Sequence, residues 1–264
     1  MKTFISFLLL AFITLTGCTQ KKTASNETQT VSGEWVSLFN GKDLNDWTVK
    51  IKGYQVGENF GNTFRVEDGI MKVRYDEYDE FDNKFGHIFH KQKFSHYKLR
   101  VEYRFAEGQV KGAPSWAYLN NGVMFHCQSP ESMHIDQDFP VSVEAQLRAC
   151  DDTFQTTTGN VCTPGTDIYI DGIPYPDHCY PAESKLYNYD EWVTLEMVVY
   201  GDSLVHHIID GDTILTYTNL TIGGGNVNPA PNIPLGPLTE GYISLQAEGH
   251  PTDFRRIEIL ELQK

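Results

Sequence analysis

Two short runs set hydrogen-bonding and proton-carrying groups at every second position: Val123–Gln128 (VMFHCQ) and Val141–Ala149 (VSVEAQLRA). A β-strand sends successive side chains to opposite faces. Val123, Phe125 and Cys127 therefore share one face, and Met124, His126 and Gln128 the other. In the second run Val143, Ala145, Leu147 and Ala149 form the apolar set, with Glu144, Gln146 and Arg148 opposite. An imidazole, amides, a carboxylate and a guanidinium on one face can hydrogen-bond a polyol and move a proton. The plainer alternative is a sheet surface facing water. His126 and Glu144 are expected to be neighbours on the same face.

Other strand-like segments add candidates. In LVHHII (Leu204–Ile209), His206 and His207 alternate, so one of them must join the polar side. Gln246 lies in GYISLQA, and Arg104 follows Arg100 and Glu102 on the polar face of YKLRVEYRF. His250, in AEGHP, reads as a turn residue. The chain has no HxH or HExxH spacing, so any ion would have to be assembled from separate strands. A divalent metal held by His126, Glu144 and His207 is left open.

The elements that must position these groups are strands. Asp68-Gly69 closes a hairpin across Phe64–Tyr75, and Asn40-Gly41, Gly201-Asp202 and Asp210-Gly211-Asp212 mark further turns. About a dozen short strands with no long helical periodicity make an all-β chain, an antiparallel two-sheet sandwich. The first and last strands are expected to pair at one edge. Asp76–Phe85 (DEYDEFDNKF) is either solvated charge or a rim over a site.

The 264 residues carry a formal charge of −14, which argues against nucleic acid or an anionic lipid surface as a partner bound through charge. Lys2 precedes an apolar run too short to span a bilayer, and Leu15-Thr16-Gly17-Cys18 follows it. This resembles a bacterial lipoprotein signal. Residues 1–17 are expected to be removed, Cys18 to carry lipid, and residues 18–33 to tether a domain over 34–264. The domain is thus expected in the cell envelope, lipid-anchored on the periplasmic side or at the cell surface. Such a compartment permits disulfides. Cys127 falls on the apolar set and Cys150 follows the polar one, so those two should not meet. Cys162 and Cys179 flank a Pro/Gly-rich loop and are expected to be bridged, worth about 3 kcal/mol on the chain-entropy account. Cys127 is expected to be a buried thiol.

Several strings taken together, SLFNGKDLNDW, KFGHIFHKQKFSHYKLRVEYRF, NNGVMFHCQSPESM, DQDFPVSVEAQL, GNVCTPGT and GYISLQAEGHPTDFRRIEI, resemble the bacterial 3-keto-disaccharide hydrolases over Glu34–Leu262. One departure is Asn121, where that family's pattern would have Ser. The resemblance implies a concanavalin-like jelly roll whose concave sheet binds a sugar already oxidised at C3 by a separate oxidoreductase. It also implies cleavage of the glycosidic bond of that 3-keto-glycoside, with no redox cofactor in this protein. A C3 ketone acidifies the C2 proton, so a base removes it, the C1 substituent leaves, and water adds. On this reading His126 or Glu144 is the base, with His207 the third catalytic group. Gln146, Gln246 and Gln128 orient hydroxyls, Arg104 or Lys84 polarises the ketone, and Asn121 shapes the turn beside the substrate. Two other functions fit the same fold. A carbohydrate-binding module would use Trp116, Tyr118 and Trp192 as platforms. A conventional glycosidase would pair Glu144 with Glu102 or Glu196.

Overall fold

A computed structural model describes residues 33–106, 108–223 and 233–263. The signal segment, Cys18 and nearly all of the tether lie outside the described residues. The first six strands are β1 (Val36–Ser37), β2 (Trp47–Ile51), β3 (Phe64–Glu67), β4 (Ile70–Val73), β5 (Gly86–Phe94) and β6 (His96–Phe105). Next come β7 (Asn120–Cys127), β8 (Val143–Arg148), β9 (Asn160–Cys162), β10 (Thr166–Ile170), β11 (Ile173–Pro174) and β12 (Cys179–Tyr180). The last are β13 (Val193–Tyr200), β14 (Leu204–Ile209), β15 (Asp212–Ile222), β16 (Gly236–Pro237), β17 (Gly241–Ala247) and β18 (Thr252–Glu261). The described helical segments are three-residue 3-10 turns.

These strands form two antiparallel sheets. One runs β11-β10-β15-β14-β13-β6-β18-β4-β3, with β1 added to β18 and β16 to β15; the other runs β12-β9-β8-β7-β17-β5-β2. The alternation read from sequence accounts for their packing. Leu99, Val101, Tyr103 and Phe105 of β6 meet Val123 and Phe125 of β7, Val143, Ala145 and Leu147 of β8, and Leu245 of β17 in one buried core. Fully burying each such side chain is worth about 1.5–3 kcal/mol. The polar partners on β7, β8, β17 and β5 are thereby turned to the outward face of the seven-stranded sheet.

The turns fall where Asp-Gly pairs predict them. Asp68 and Gly69 have φ of 53° and 77°, Asp210 and Gly211 of 55° and 87°, the left-handed pairs that tight hairpins require. The expected terminal pairing exists, with β1 a short outer strand that pairs with β18 alone among the described strands. β18 pairs with β4 through Thr252–Phe254 and with β1 only at Glu258 and Ile259, beyond an irregularity at Arg255–Ile257.

One local feature overturns the parity of β7. Tyr242 pairs with Cys127 and Ser244 with Met124, so two residues of β7 oppose one of β17. The extra residue is His126, at φ 48°. Such a bulge reverses the facing of everything beyond it. Gly241 permits it: a Cβ there would lie 2.3 Å from the His126 carbonyl carbon. Cys127, expected on the apolar set that faces between the sheets, packs instead with Met124, Phe89 and Met133 on the outward side. It is a buried thiol, and burial pushes it up to about 12.

Cys162 and Cys179 are directly opposed on β9 and β12 and form the expected disulfide. Cys150 is a free, buried cysteine.

Candidate active site

Residues that face each other across strands share a face, so the register shows what the outward face carries. Met124 stands opposite Glu144, and Glu144 opposite Cys162. One step along, Gly122 stands opposite Gln146, and Gln146 opposite Asn160. A further step pairs Asn120 with Arg148. Glu248, just past the end of β17, continues the Ser244–Gln246 alternation onto this side.

A pocket of about 320 Å³ opens over these rows. Its polar lining includes Asn120, Glu144, Gln146, Arg148, His178 and Glu248, and its walls are Trp116, Phe139, Pro164 and the Cys162–Cys179 disulfide. Trp116 is 49% exposed, and its ring stacks on Phe85 at 5.7 Å. Phe85 in turn packs on Phe139 at 5.1 Å. Thus the acidic, aromatic loop before β5 supplies the backing for the rim, while its acids stay on the solvent side.

The side chains in the pocket are buried but sparsely bonded. Glu144 is 6% exposed and Glu248 2%. Glu248 Oε1, Arg148 Nε, Asn120 Oδ1 and His178 Nδ1 have no hydrogen-bond partner among the described residues. Gln146 Oε1 accepts from Asn160 Nδ2 at 2.9 Å, which fixes the amide. Glu144 lies across Gly122, where a Cβ would fall 2.5 Å from its Oε1. Only glycine admits this close approach.

Burial sets the electrostatics. It pushes Glu144 up to about 8, opposed by the Arg148 charge. Glu248 is driven well above the ordinary carboxylate range, by burial and by the charge of Glu144, again opposed by Arg148. Two close carboxyls out of water cannot both ionise at neutral pH, so the pair retains a proton. Glu144, at about 8, is the first of the two to ionise and is then a base beside a still-protonated Glu248 and a cation that burial has made costly to hold.

The profile of the 3-keto-alpha-glucoside-1,2-lyase-like domain family matches residues 34–260, nearly the whole described domain. The chain belongs to that family. No curated protein sequence matches it. Among solved structures it is similar to a "putative glycosyl hydrolase" from Parabacteroides distasonis ATCC 8503, with TM-score 0.53, 19% identity, and 87% of this chain and 94% of that one covered. A second structure of that description from the same organism gives TM-score 0.52 and 18% identity, covering 87% of this chain and all of the other. At these identities the likeness establishes the shared two-sheet jelly roll.

Within this family member, the expected site residues divide. Glu144 and Gln146 line the pocket, and Gln246 lies on the same sheet face, fully buried. The expected convergence of His126 and His207 on Glu144 does not occur. The bulge turns His126 between the sheets, where its Nδ1 meets the Leu238 carbonyl at 3.1 Å and its ring lies edge-on to Tyr97. His207, chosen over His206 as the polar-facing one, points into the core of the other sheet. Its Nδ1 donates to the Gly159 carbonyl at 2.7 Å, and its Nε2 meets the Tyr217 hydroxyl at 2.8 Å. His126, Glu144 and His207 therefore make no common donor set. Among the described residues, the ligand-type side chains that do cluster in threes are Cys162, His178 and Cys179, and the two sulfurs are bonded to each other.

The remaining expectations are corrected in the same way. Gln128 braces the loop after β7, accepting from Val141 N at 2.7 Å and Gln137 Nε2 at 2.9 Å. Arg104 is on the other sheet, paired with Asp253 and lying over Trp192. Lys84 pairs with Asp82 at 2.9 Å, outside the pocket lining. Asn121 faces inward; the pocket residue is its neighbour Asn120. His250 is a turn residue as expected, accepting from Leu119 N and meeting the Ala106 carbonyl. Glu102 and Glu196 pair with arginines on the other sheet and do not face Glu144.

Sequence reading passed over Glu248, His178 and His87. For Glu248 the signal was present: one more step of the alternation Tyr242, Ser244, Gln246 reaches it. For His178 there was none, since its position depends on the disulfide that fixes the short β9–β12 pair.

Proposed function

We propose that this protein cleaves 3-keto-glycosides by removing the proton at C2, expelling the C1 substituent, and adding water to the unsaturated sugar. The ionised member of the Glu144–Glu248 pair takes the C2 proton. The protonated member gives its proton to the glycosidic oxygen as the C1–O bond breaks and a C1–C2 double bond forms. Arg148 donates toward the enediolate oxygen that develops from the ketone, and the open Asn120 Oδ1 accepts from a sugar hydroxyl. Trp116 offers a flat apolar face to the sugar ring, and Gln146 holds a hydroxyl. Water then adds across the double bond, with the same two carboxyls exchanging roles. The substrate arrives from an enzyme class that oxidises a glycoside at C3.

The observation that carries this reading is the pair of buried carboxyls held above an arginine and otherwise left open to a ligand. Their raised proton affinity suits carbon-acid chemistry at neutral pH. The pocket volume lies at the lower end for small-molecule sites, which suits one sugar ring and part of a second. The same pair also gives a specific reason to weigh a conventional glycosidase, which uses two carboxyls on an unmodified sugar. The two separate cleanly in one assay. The purified domain is offered a 3-keto-glucoside and its unoxidised parent in deuterated water. Turnover of the keto sugar alone, with deuterium entering at C2, is the expected result. Turnover of the parent without C2 exchange establishes the conventional hydrolase instead.

A further inference from the structure

Of the groups lining the pocket, Cys162, His178 and Cys179 take no part in the chemistry proposed above. Cys162 and Cys179 face each other directly across β9 and β12, and Cys162 also stands opposite Glu144, so both sulfurs lie on the pocket side of the sheet. His178 comes immediately before Cys179 and lines the same wall. One ring nitrogen of His178 and the two sulfurs lie within 4.8 Å of one another. His178 Nδ1 is buried with no hydrogen-bond partner among the described residues, where protein interiors normally supply one.

Two sulfurs and an imidazole are the donors that a borderline-soft cation such as zinc selects, and that magnesium and calcium do not. Zinc holds sulfur at about 2.3 Å and nitrogen at about 2.0–2.1 Å, which sets tetrahedral ligands about 3.5–3.8 Å apart. Small side-chain rotations span the difference once the sulfurs part. The backbone keeps these donors together without the covalent bond. The His178 carbonyl accepts from Thr163 N at 3.0 Å and from Thr163 Oγ1 at 3.1 Å. The Cys179 carbonyl accepts from the Tyr175 hydroxyl at 3.1 Å, and Ala182 N donates to Asn160 Oδ1 at 2.9 Å. Burial also lowers the proton affinity of the His178 ring, which leaves it neutral and able to ligate at neutral pH.

We propose that this wall has two states: a disulfide when oxidised and, once a dithiol has reduced it, a zinc site formed by the Cys162 and Cys179 thiolates and the His178 ring. Cys179 is half-buried and Cys162 is 1% exposed, so the dithiol attacks at Cys179. One of its thiolates bonds to Cys179 Sγ, the S–S bond breaks, and Cys162 leaves as a thiolate. The second thiol of the reductant then frees Cys179 and closes the reductant's own disulfide. Two electrons pass to the protein, and zinc takes the place of the two thiol protons. Three protein ligands leave zinc a fourth position, the arrangement of sites that do chemistry rather than hold a fold. Because Glu144 is the neighbour of Cys162 across the strands, that position borders the carboxyl pair. The zinc site is independent of which glycoside the pocket cleaves.

The test uses the protein purified with the bridge intact, part of it then reduced with dithiothreitol and freed of reductant under argon. Zinc binding is measured by calorimetry, and cobalt(II) serves as a spectroscopic probe. The reduced protein is expected to take one zinc ion per chain. It should bind at least about 100-fold more tightly than the oxidised protein, the upper end of what losing even an outer partner costs a metal site. Its cobalt form should show the intense thiolate-to-metal absorption that the oxidised form lacks. Cys127 and Cys150 are buried free thiols in both samples and cancel from the comparison. His178→Ala leaves the bridge and its backbone bonds in place, so it tests the site in a protein that still folds. After reduction this variant should bind zinc at least about tenfold more weakly than the reduced parent. Equal zinc affinity in the two redox states, absence of the thiolate band, or full affinity in His178→Ala overturns the inference. So does a reduced protein that shows no thermal unfolding transition in the presence of zinc.

Discussion

The outward faces of the two sheets are built from the same residue types in the same alternation, yet the carboxyl-lined pocket opens on the smaller one. On the larger sheet, Arg100 lies 2.8 Å from Glu196 and 3.4 Å from Glu258, Arg255 lies 2.7 Å from Glu102, and Arg74 and Arg104 share Asp253. The aromatic rings there are occupied too: Trp192 lies under Arg104 and Arg255, and Trp35 under Arg100. On the smaller sheet, Glu144 and Glu248 stand together without such pairing and nearly out of water, beside a partly exposed Arg148. The first face spends its charges on itself, and its more exposed pairs, such as Arg255–Glu102, contribute about 0–1 kcal/mol each. The second withholds them, at a cost in stability, for a ligand. Residue type does not separate the two faces; cover and missing partners do.

That contrast can be broken by substitution. The largest effect is expected at the carboxyl pair. Glu144→Gln or Glu248→Gln should lower kcat by about 10²–10⁴, the usual contribution of a positioned acid or base. Stability should move the other way at high pH. Both carboxyls hold protons more tightly when folded than in the unfolded chain, where the ordinary value is 4.5. Their contribution is therefore full below pH 4.5 and is lost as pH rises through about 8. Each Gln variant should melt above the parent at pH 9, by at least the roughly 2–4 °C that 1 kcal/mol gives in a chain of this size, and level with it at pH 4.5. Buried His87, His126, His207 and His250 titrate in the opposite sense, lowered to about 3 or 4 by burial. Their share is complete above 6.5 and declines toward 4, equally in parent and variants, so the difference isolates the carboxyls. A variant no more stable than the parent at pH 9 would mean that the pair is solvated.

A smaller effect is expected at Gly122→Ala. The added methyl group collides with a flexible carboxylate rather than with backbone, so the protein should fold while Glu144 is displaced. A loss of about 10²-fold in kcat/KM with a nearly unchanged melting temperature is the expected outcome. The smallest effect belongs to the other sheet. Glu196→Gln, which removes one partner of Arg100, should cost less than about 1 kcal/mol and leave the rate unchanged. A large loss of activity there would show that the two faces are not independent.

How far the sequence carries can be seen residue by residue. The hairpins at Asp68-Gly69 and Asp210-Gly211 were legible because their backbone demands are met by those residues and few others. The face of Glu144, Gln146 and Arg148 was legible because β8 is regular. His126 was not, because nothing in VMFHCQ marks the extra residue; its cause is Gly241, more than a hundred positions away. His207 was misjudged for a different reason. An imidazole reads as polar in sequence, but the Gly159 carbonyl and Tyr217 hydroxyl satisfy it inside the core. The disulfide followed from its loop, whereas the placing of His178 beside it required the β9–β12 register.

Asn121, whose side chain faces inward, gives the pocket floor a fixed reference. Its amide donates to the Gln246 carbonyl at 2.9 Å and to the Thr252 hydroxyl at 3.1 Å, while its Oδ1 accepts from Gly122 N at 2.8 Å. Three strands, β7, β17 and the opposing sheet's β18, are thereby tied at one point directly behind Gly122 and Gln246. Like a tie rod through a double wall, it makes the height of the floor depend on the spacing between the layers. Substitutions deep in the core, far from any sugar, will consequently be felt first as a change in how the carboxyls line up.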